Sequence, residues 1–169
     1  MKAILFGATG MVGQGALREC LLDQNVRSVL VIGRSATGQH FTLAAAHALV
    51  KFNPGMTFIY VSGMGTDSTE RGRSMWGRVK GQTENALLRL PFKAAYMFRP
   101  GYIQPMHGAV SKTKQYRVLY TVMGPLFSVW NALFPKYVTT TEQIGGAMIK
   151  VVRQGAPKPV LENQDINNI

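Results

Sequence analysis

Three glycines raise the question of chemistry. In GATGMVG, residues 7–13, Gly7, Gly10 and Gly13 follow the apolar run KAILF and lead into the helical pattern GQGALRECLLDQ. Glycine at such a turn permits tight dihedrals, and glycine at a helix start lets the backbone approach a ligand closely. The backbone amides from Thr9 through Gly10, Met11 and Val12 to Gly13 would then lie at the positive end of a helix dipole, where they bind an anion such as a dinucleotide's diphosphate. Strand, glycine triplet, helix and a second strand, in that order, make the pattern more specific than the glycines alone.

The end of the second apolar run bears on which dinucleotide. A carboxylate there would hold a ribose 2′-hydroxyl, but the chain reads IGRSATG and carries no acidic residue between Asp23 and Asp67. Arg34, helped by Ser35, can hold a 2′-phosphate instead, which favours NADP(H) while leaving NAD(H) as the alternative. A solvent-facing loop is the plainer reading of Arg34.

The elements that must position these residues are legible as alternating patterns. KAILFG at 2–7, SVLVIG at 28–33, MTFIYVSG at 56–63 and KAAYMFRPG at 93–101 are continuous apolar runs, as expected of parallel strands covered on both faces. Helical patterns lie between and after them: GQGALRECLLDQ, FTLAAAHALVKF, MWGRVKGQTENALLRL and TTTEQIGGAMIKVVRQ. In the last, Thr139 with Glu142 or Thr140 with Gln143 fits a capping box, and Gly155 is placed to stop the helix. The alternation predicts an α/β fold with a doubly wound parallel sheet, the NAD(P)-binding Rossmann arrangement, in one domain over residues 1–169.

One join departs from that plan. After the second strand only a few residues precede the helix near Phe41, where two more strands and their crossovers are expected. The middle strands are therefore missing after residue 39, and the reading favours a gap in the chain between Gln39 and His40.

The composition narrows the function classes. Nineteen Lys and Arg against eight Asp and Glu give +11, but the basic residues are scattered and no nucleic-acid module is recognisable, so nucleic acid ranks behind a phosphate-bearing cofactor. No apolar run is long enough for a strong membrane-spanning candidate and no signal-peptide core is present, so a cytoplasmic protein is expected. Cys20 is the single cysteine, which leaves no internal disulfide and no metal-ligand pattern.

GATGMVG, YVSG at the end of the third run, a helix bearing Lys80, FRPGYIQP and LENQDI together resemble the atypical or extended short-chain dehydrogenase/reductases. The likeness is to the NAD(P)H-binding branch that includes NmrA-like and Tat-interacting oxidoreductase-like proteins, and to NAD-dependent epimerase/dehydratases. The resemblance implies a Ser, a Tyr and a Lys acting together, with Tyr four residues before Lys. Ser62 matches the serine, which polarises a substrate carbonyl. Lys80 matches the lysine, which binds the nicotinamide ribose and acts on the tyrosine. The tyrosine position holds Trp76, whose indole N–H donates only and cannot exchange a proton with a carbonyl oxygen. Losing a general acid costs about a hundred- to ten-thousandfold in rate. Tyr60, Tyr102 or His107 would have to reach the site in its place, or water would have to relay the proton. The resemblance also implies that the backbone at Pro100 and Gly101 contacts the nicotinamide amide.

Plainer readings stand beside these: Lys80 paired with Glu84 along the helix, Ser62 capping a strand end, and Trp76 lining a wall. The run from Val118 to Tyr137, uncharged as far as Pro135, is broken by Gly124 and Pro125 into two short apolar helices at most. Within a substrate or lid region at about 102–138 it suits a pocket lid over a hydrophobic substrate, or a contact with a second copy, better than a membrane surface. The sequence thus predicts an NADP(H)-binding protein with reductase or epimerase-like chemistry, or a non-catalytic sensor or partner-binding protein built on the same cleft.

Overall fold

The apolar runs form strands and the periodic segments form helices. The computed structural model describes residues 1–32, 39–109 and 135–169. In chain order the elements are β1 (Lys2–Phe6), α1 (Met11–Leu22), β2 (Ser28–Ile32), α2 (Gln39–Phe52), β3 (Thr57–Val61), α3 (Met75–Leu88), β4 (Ala94–Arg99), β5 (Tyr102–Gln104), a 3-10 turn (Pro135–Tyr137), β6 (Val138–Thr140), α4 (Thr141–Gln154), β7 (Val160–Glu162) and α5 (Asn163–Asn168). This is a mixed α/β chain, and among the described residues its strand pairs are parallel. It divides into two compact units. Among the described residues no helix is long and apolar enough to cross a membrane.

The first unit holds β1, α1, β2, β5, β6, α4 and α5. β1 pairs with β2 from Lys2↔Ser28 to Phe6↔Ile32, and β5 pairs with β6 from Tyr102↔Val138 to Gln104↔Thr140. α4 starts with a capping box in which Thr140 accepts from the Gln143 amide while Gln143 reaches back to the Thr140 amide. Of the two boxes that the sequence allows, this is the one formed. Ile144, Ala147 and Val151 recur at helical spacing on the buried side of α4, and small residues let α1 approach it: Gly15 and Ala16 are both buried.

In the second unit α2, β3, α3, β4 and β7 build a sheet in the order β3-β4-β7. Its core is Ala46 from α2, Leu87 from α3 and Met97 from β4, all fully buried, with Phe58 and Tyr60 of β3 packed around them. Phe58 stacks on Phe92 with ring centroids 4.9 Å apart. α3 begins at Ser74, whose side chain accepts from the Gly77 amide, the usual way of satisfying a free amide at a helix start.

Two expectations change at the level of packing. Cover on both faces holds for the end of β4, where Met97 and Phe98 are fully buried, but the register partners Ile4 and Leu30 of β1 and β2 are exposed. A continuous apolar run records what the side chains favour, and not whether another element is there to cover them. Hydrogen bonding also divides the strands into separate small sheets, and among the described residues β1 pairs with β2 alone. Helix α2 starts at Gln39, with His40 as its second residue.

Candidate functional site

The glycine turn is built by close approach. Gly7 has φ +71°, in the left-handed region that only glycine adopts freely. Its carbonyl accepts from the Gly10 amide at 2.8 Å, and a Cβ on Gly13 would stand 2.1 Å from that same oxygen. Helix α1 can therefore begin this close to β1 only with glycine at position 13. Gly10 is the N-cap, with no side-chain hydrogen bond to close the helix end and no acidic residue in the first turn. The first amides of any helix lack intrahelical acceptors, so the Met11, Val12 and Gly13 amides lie at the positive end of α1 with no side chain of Gly10 to cap them, which suits an anion. Next to it, the Thr9 carbonyl accepts from Gln14 Nε2 at 3.1 Å. Arg34 and Ser35 lie outside the described residues.

The other predicted side chains gather in the second unit, on facing sides of β3 and α3. Tyr60 and Ser62 are two residues apart along an extended strand end and share one face, while Trp76, Lys80 and Glu84 are four apart on α3 and share another. Lys80 Nζ donates to the Tyr60 hydroxyl oxygen at 3.0 Å. Its expected pairing with Glu84 does not form. Glu84 instead accepts a short hydrogen bond from Ser62 Oγ and an ion pair from Arg99. Trp76 is half-exposed, its ring lying over Gly63, where a Cβ would come within 3.3 Å of Cη2.

Ser62 differs chemically from what its position suggests. Besides Glu84, its hydroxyl faces the Phe98 carbonyl at 3.3 Å. Both neighbours are acceptors, so the one hydroxyl proton points into the protein and the oxygen is left as an acceptor.

Glu84 is 1% exposed and Arg99 8%. Arg99 Nε lies 3.1 Å from each Glu84 oxygen, Nη1 lies 3.0 Å from Glu162, and Nη2 also donates to Ser68 Oγ. Burial works against the guanidinium charge, but the hydrogen bonds and charges of Glu84 and Glu162 outweigh it and hold Arg99 above the ordinary arginine value. Sequence reasoning gave Glu84 to Lys80 and left Arg99 without a role. The signal available was an Arg inside an otherwise apolar strand, which requires a buried acidic partner.

Tyr102 and His107 belong to the first unit. The Tyr102 hydroxyl donates to Gln104 at 3.1 Å, with burial raising its pKa. His107 Nε2 lies 3.2 Å from Glu142, both side chains being largely exposed. Of the three proposed substitutes for the missing acid, it is Tyr60 that meets Lys80. The Pro100 carbonyl accepts from the Met64 amide at 2.9 Å, and the Gly101 amide donates to Asn163 Oδ1 at 2.8 Å. Asn163, whose Nδ2 also donates to the Val138 carbonyl at 3.0 Å, thus ties Gly101 to β6 within the first unit. Most of the apolar run from Val118, namely residues 118–134, lies outside the described residues.

Comparison with protein-family models and with curated proteins finds no match for the chain.

Proposed function

We propose that the chain is an NADP(H)-binding protein of Rossmann type, related in plan to the atypical short-chain reductases. The observation that carries this reading is the Gly7–Gly13 contact, which sets a bare helix N-terminus directly after a parallel strand. Backbone amides of Met11, Val12 and Gly13 would hold the diphosphate, and Arg34 would select the 2′-phosphate. When bound, the nicotinamide supplies or accepts a hydride. On this reading the substrate is a carbonyl compound or alcohol of apolar character, and the protein works in the cytoplasm.

The direct test is calorimetric titration of the protein with NADPH and NADH. The expected result is tighter binding of NADPH, reduced at least tenfold by Arg34→Ala and abolished by Gly13→Val in material that still folds by circular dichroism. No heat with either coenzyme overturns the reading.

A second reading, a cofactor sensor without turnover, is favoured by Trp76 at the tyrosine position and by the inward-pointing proton of Ser62. Steady consumption of NADPH by the unaltered protein in the presence of a carbonyl substrate removes it.

A further inference from the structure

We infer that the loop before α3 and the first turn of that helix form a docking surface for an acidic protein segment, with Trp76 as its anchor. The surface lies wholly within the second unit and stands apart from the cofactor reading. Met64, Met75 and Trp76 are each between 46% and 67% exposed, and the fold gathers them in one place. The Trp76 ring lies over Gly63, and a Cβ on Gly77 would stand 2.7 Å from the Gly65 carbonyl oxygen, so Met64 is held between two residues that meet the start of α3. Met75 is the first residue of that helix, next to Trp76. Arg71 and Arg73, in the same loop, are exposed, and among the described residues neither has a carboxylate in ion-pair range. The acidic residues of the loop are engaged elsewhere, Asp67 with Thr69 and Gly72 and Glu70 with Asn85 at 2.7 Å.

Tryptophan, methionine and arginine are enriched where proteins meet, and tryptophan and arginine most often carry the binding energy. Here an indole offers a large rigid face, two methionines adapt to what lies on it, and Arg71 and Arg73 can each take a carboxylate through two hydrogen bonds. The loop is tied down before any partner arrives, since Arg78 Nη1 donates to the Gly72 carbonyl at 2.8 Å and to that of Arg73 at 3.2 Å. That lowers the entropy lost on binding. Charge selects the partner. A second copy would bring the same arginines and a net charge of +11 against this surface, whereas a segment rich in Asp and Glu, with a Leu or Phe for the apolar centre, complements it. A lipid surface asks for a larger apolar face or a cluster of about four to eight basic residues. Single-stranded nucleic acid asks for several stacking aromatics along a basic groove. This surface has one indole and two exposed arginines.

The test is fluorescence anisotropy of the full chain, without coenzyme, against a short fluorescein-labelled peptide in which Asp and Glu alternate with Leu and Phe. Saturable binding with Kd of about 1–100 μM is expected, weakening as salt rises. Trp76→Ala, and separately Arg71→Ala with Arg73→Ala, should raise Kd by about tenfold or more. Arg89→Ala, which removes an exposed arginine at the other end of α3, should leave Kd within about twofold. If Trp76→Ala does not fold, Arg71→Glu with Arg73→Glu decides. That variant should lose the acidic peptide and take up a counterpart carrying Lys in place of Asp and Glu. The inference is overturned by absence of saturable binding or by equal binding in these variants. It is also overturned if phosphatidylserine vesicles or oligothymidylate bind through Trp76 while the acidic peptide does not. None of these outcomes bears on the cofactor reading, which the NADPH titration decides.

Discussion

Arg99 Nε stands equidistant, at 3.1 Å, from the two carboxylate oxygens of Glu84, and both residues are buried. Each charge is therefore held by the other, with Glu162 and Ser68 taking the remaining guanidinium donors. Removing Arg99 leaves the Glu84 carboxylate buried without a counter-charge, and removing Glu84 leaves Arg99 with only the half-exposed Glu162, each costing more than the pair contributes as a unit. Glu84→Ala should destabilise the protein by about 3–5 kcal/mol, measured by urea unfolding. Replacing both residues together should cost less than the sum of the two single changes.

Gly13 and Gly10 make a contrasting pair. A Cβ at position 13 would lie 2.1 Å from the Gly7 carbonyl oxygen, whereas one at position 10 would lie 3.4 Å away, at ordinary contact distance. Gly13→Ala should therefore cost about 1–3 kcal/mol by overpacking and disturb the turn. Gly10, at φ −86°, has a conformation open to other residues, so Gly10→Ala should change stability by less than half as much. Thermal melts of the two variants side by side check the difference.

Within the first unit, α1 and α4 meet through small residues. A Cβ on Gly15 would stand 2.5 Å from the Thr141 carbonyl, and one on Gly146, inside α4, would meet nothing within 4 Å. Gly15→Ala should lower the melting temperature. Gly146→Ala should raise it, since alanine in a helix interior is better than glycine by about 0.5–1 kcal/mol.

The loop before α3 should loosen in acid. Asp67 accepts from the Thr69 hydroxyl at 2.7 Å and from the Gly72 amide at 2.6 Å, and these bonds, with the Thr69 hydroxyl first, lower its pKa from the usual 3.8. Because the folded value is the lower one, this contribution is complete above the unfolded carboxylate range and is lost as pH falls through the depressed value. Amide protection factors at Thr69 and Gly72, which correct for the intrinsic pH dependence of exchange, should be high near neutrality and fall as pH drops through that depressed value. In Asp67→Asn the protection factors should not change with pH across that interval.

Much of the order of elements was legible in the chain. The runs at 28–33 and 93–101 contain β2 and β4, and the pattern from Met75 contains α3, because continuous apolar stretches and helical periodicity are local signals. β5, β6 and β7 were not foreseen. Each is three residues long, too short to carry a period, and each is a strand only because another strand lies alongside.

The candidate site divides in the same way. Residue type and spacing alone determined the glycine turn, the absence of a tyrosine four residues before Lys80, and the placing of Trp76, Lys80 and Glu84 on one helix face, since a helix repeats every 3.6 residues whatever surrounds it. Which partner each side chain takes was decided by the tertiary structure. Glu84 turns to Arg99, fifteen residues away, and Lys80 to Tyr60, twenty residues away. Helical spacing offered Lys80 and Glu84 to each other, but an exposed pair of that kind stabilises by only about 0.2–0.5 kcal/mol. A buried guanidinium left without its carboxylate would cost several times as much, and that larger energy exists only once β3, α3 and β4 have packed together.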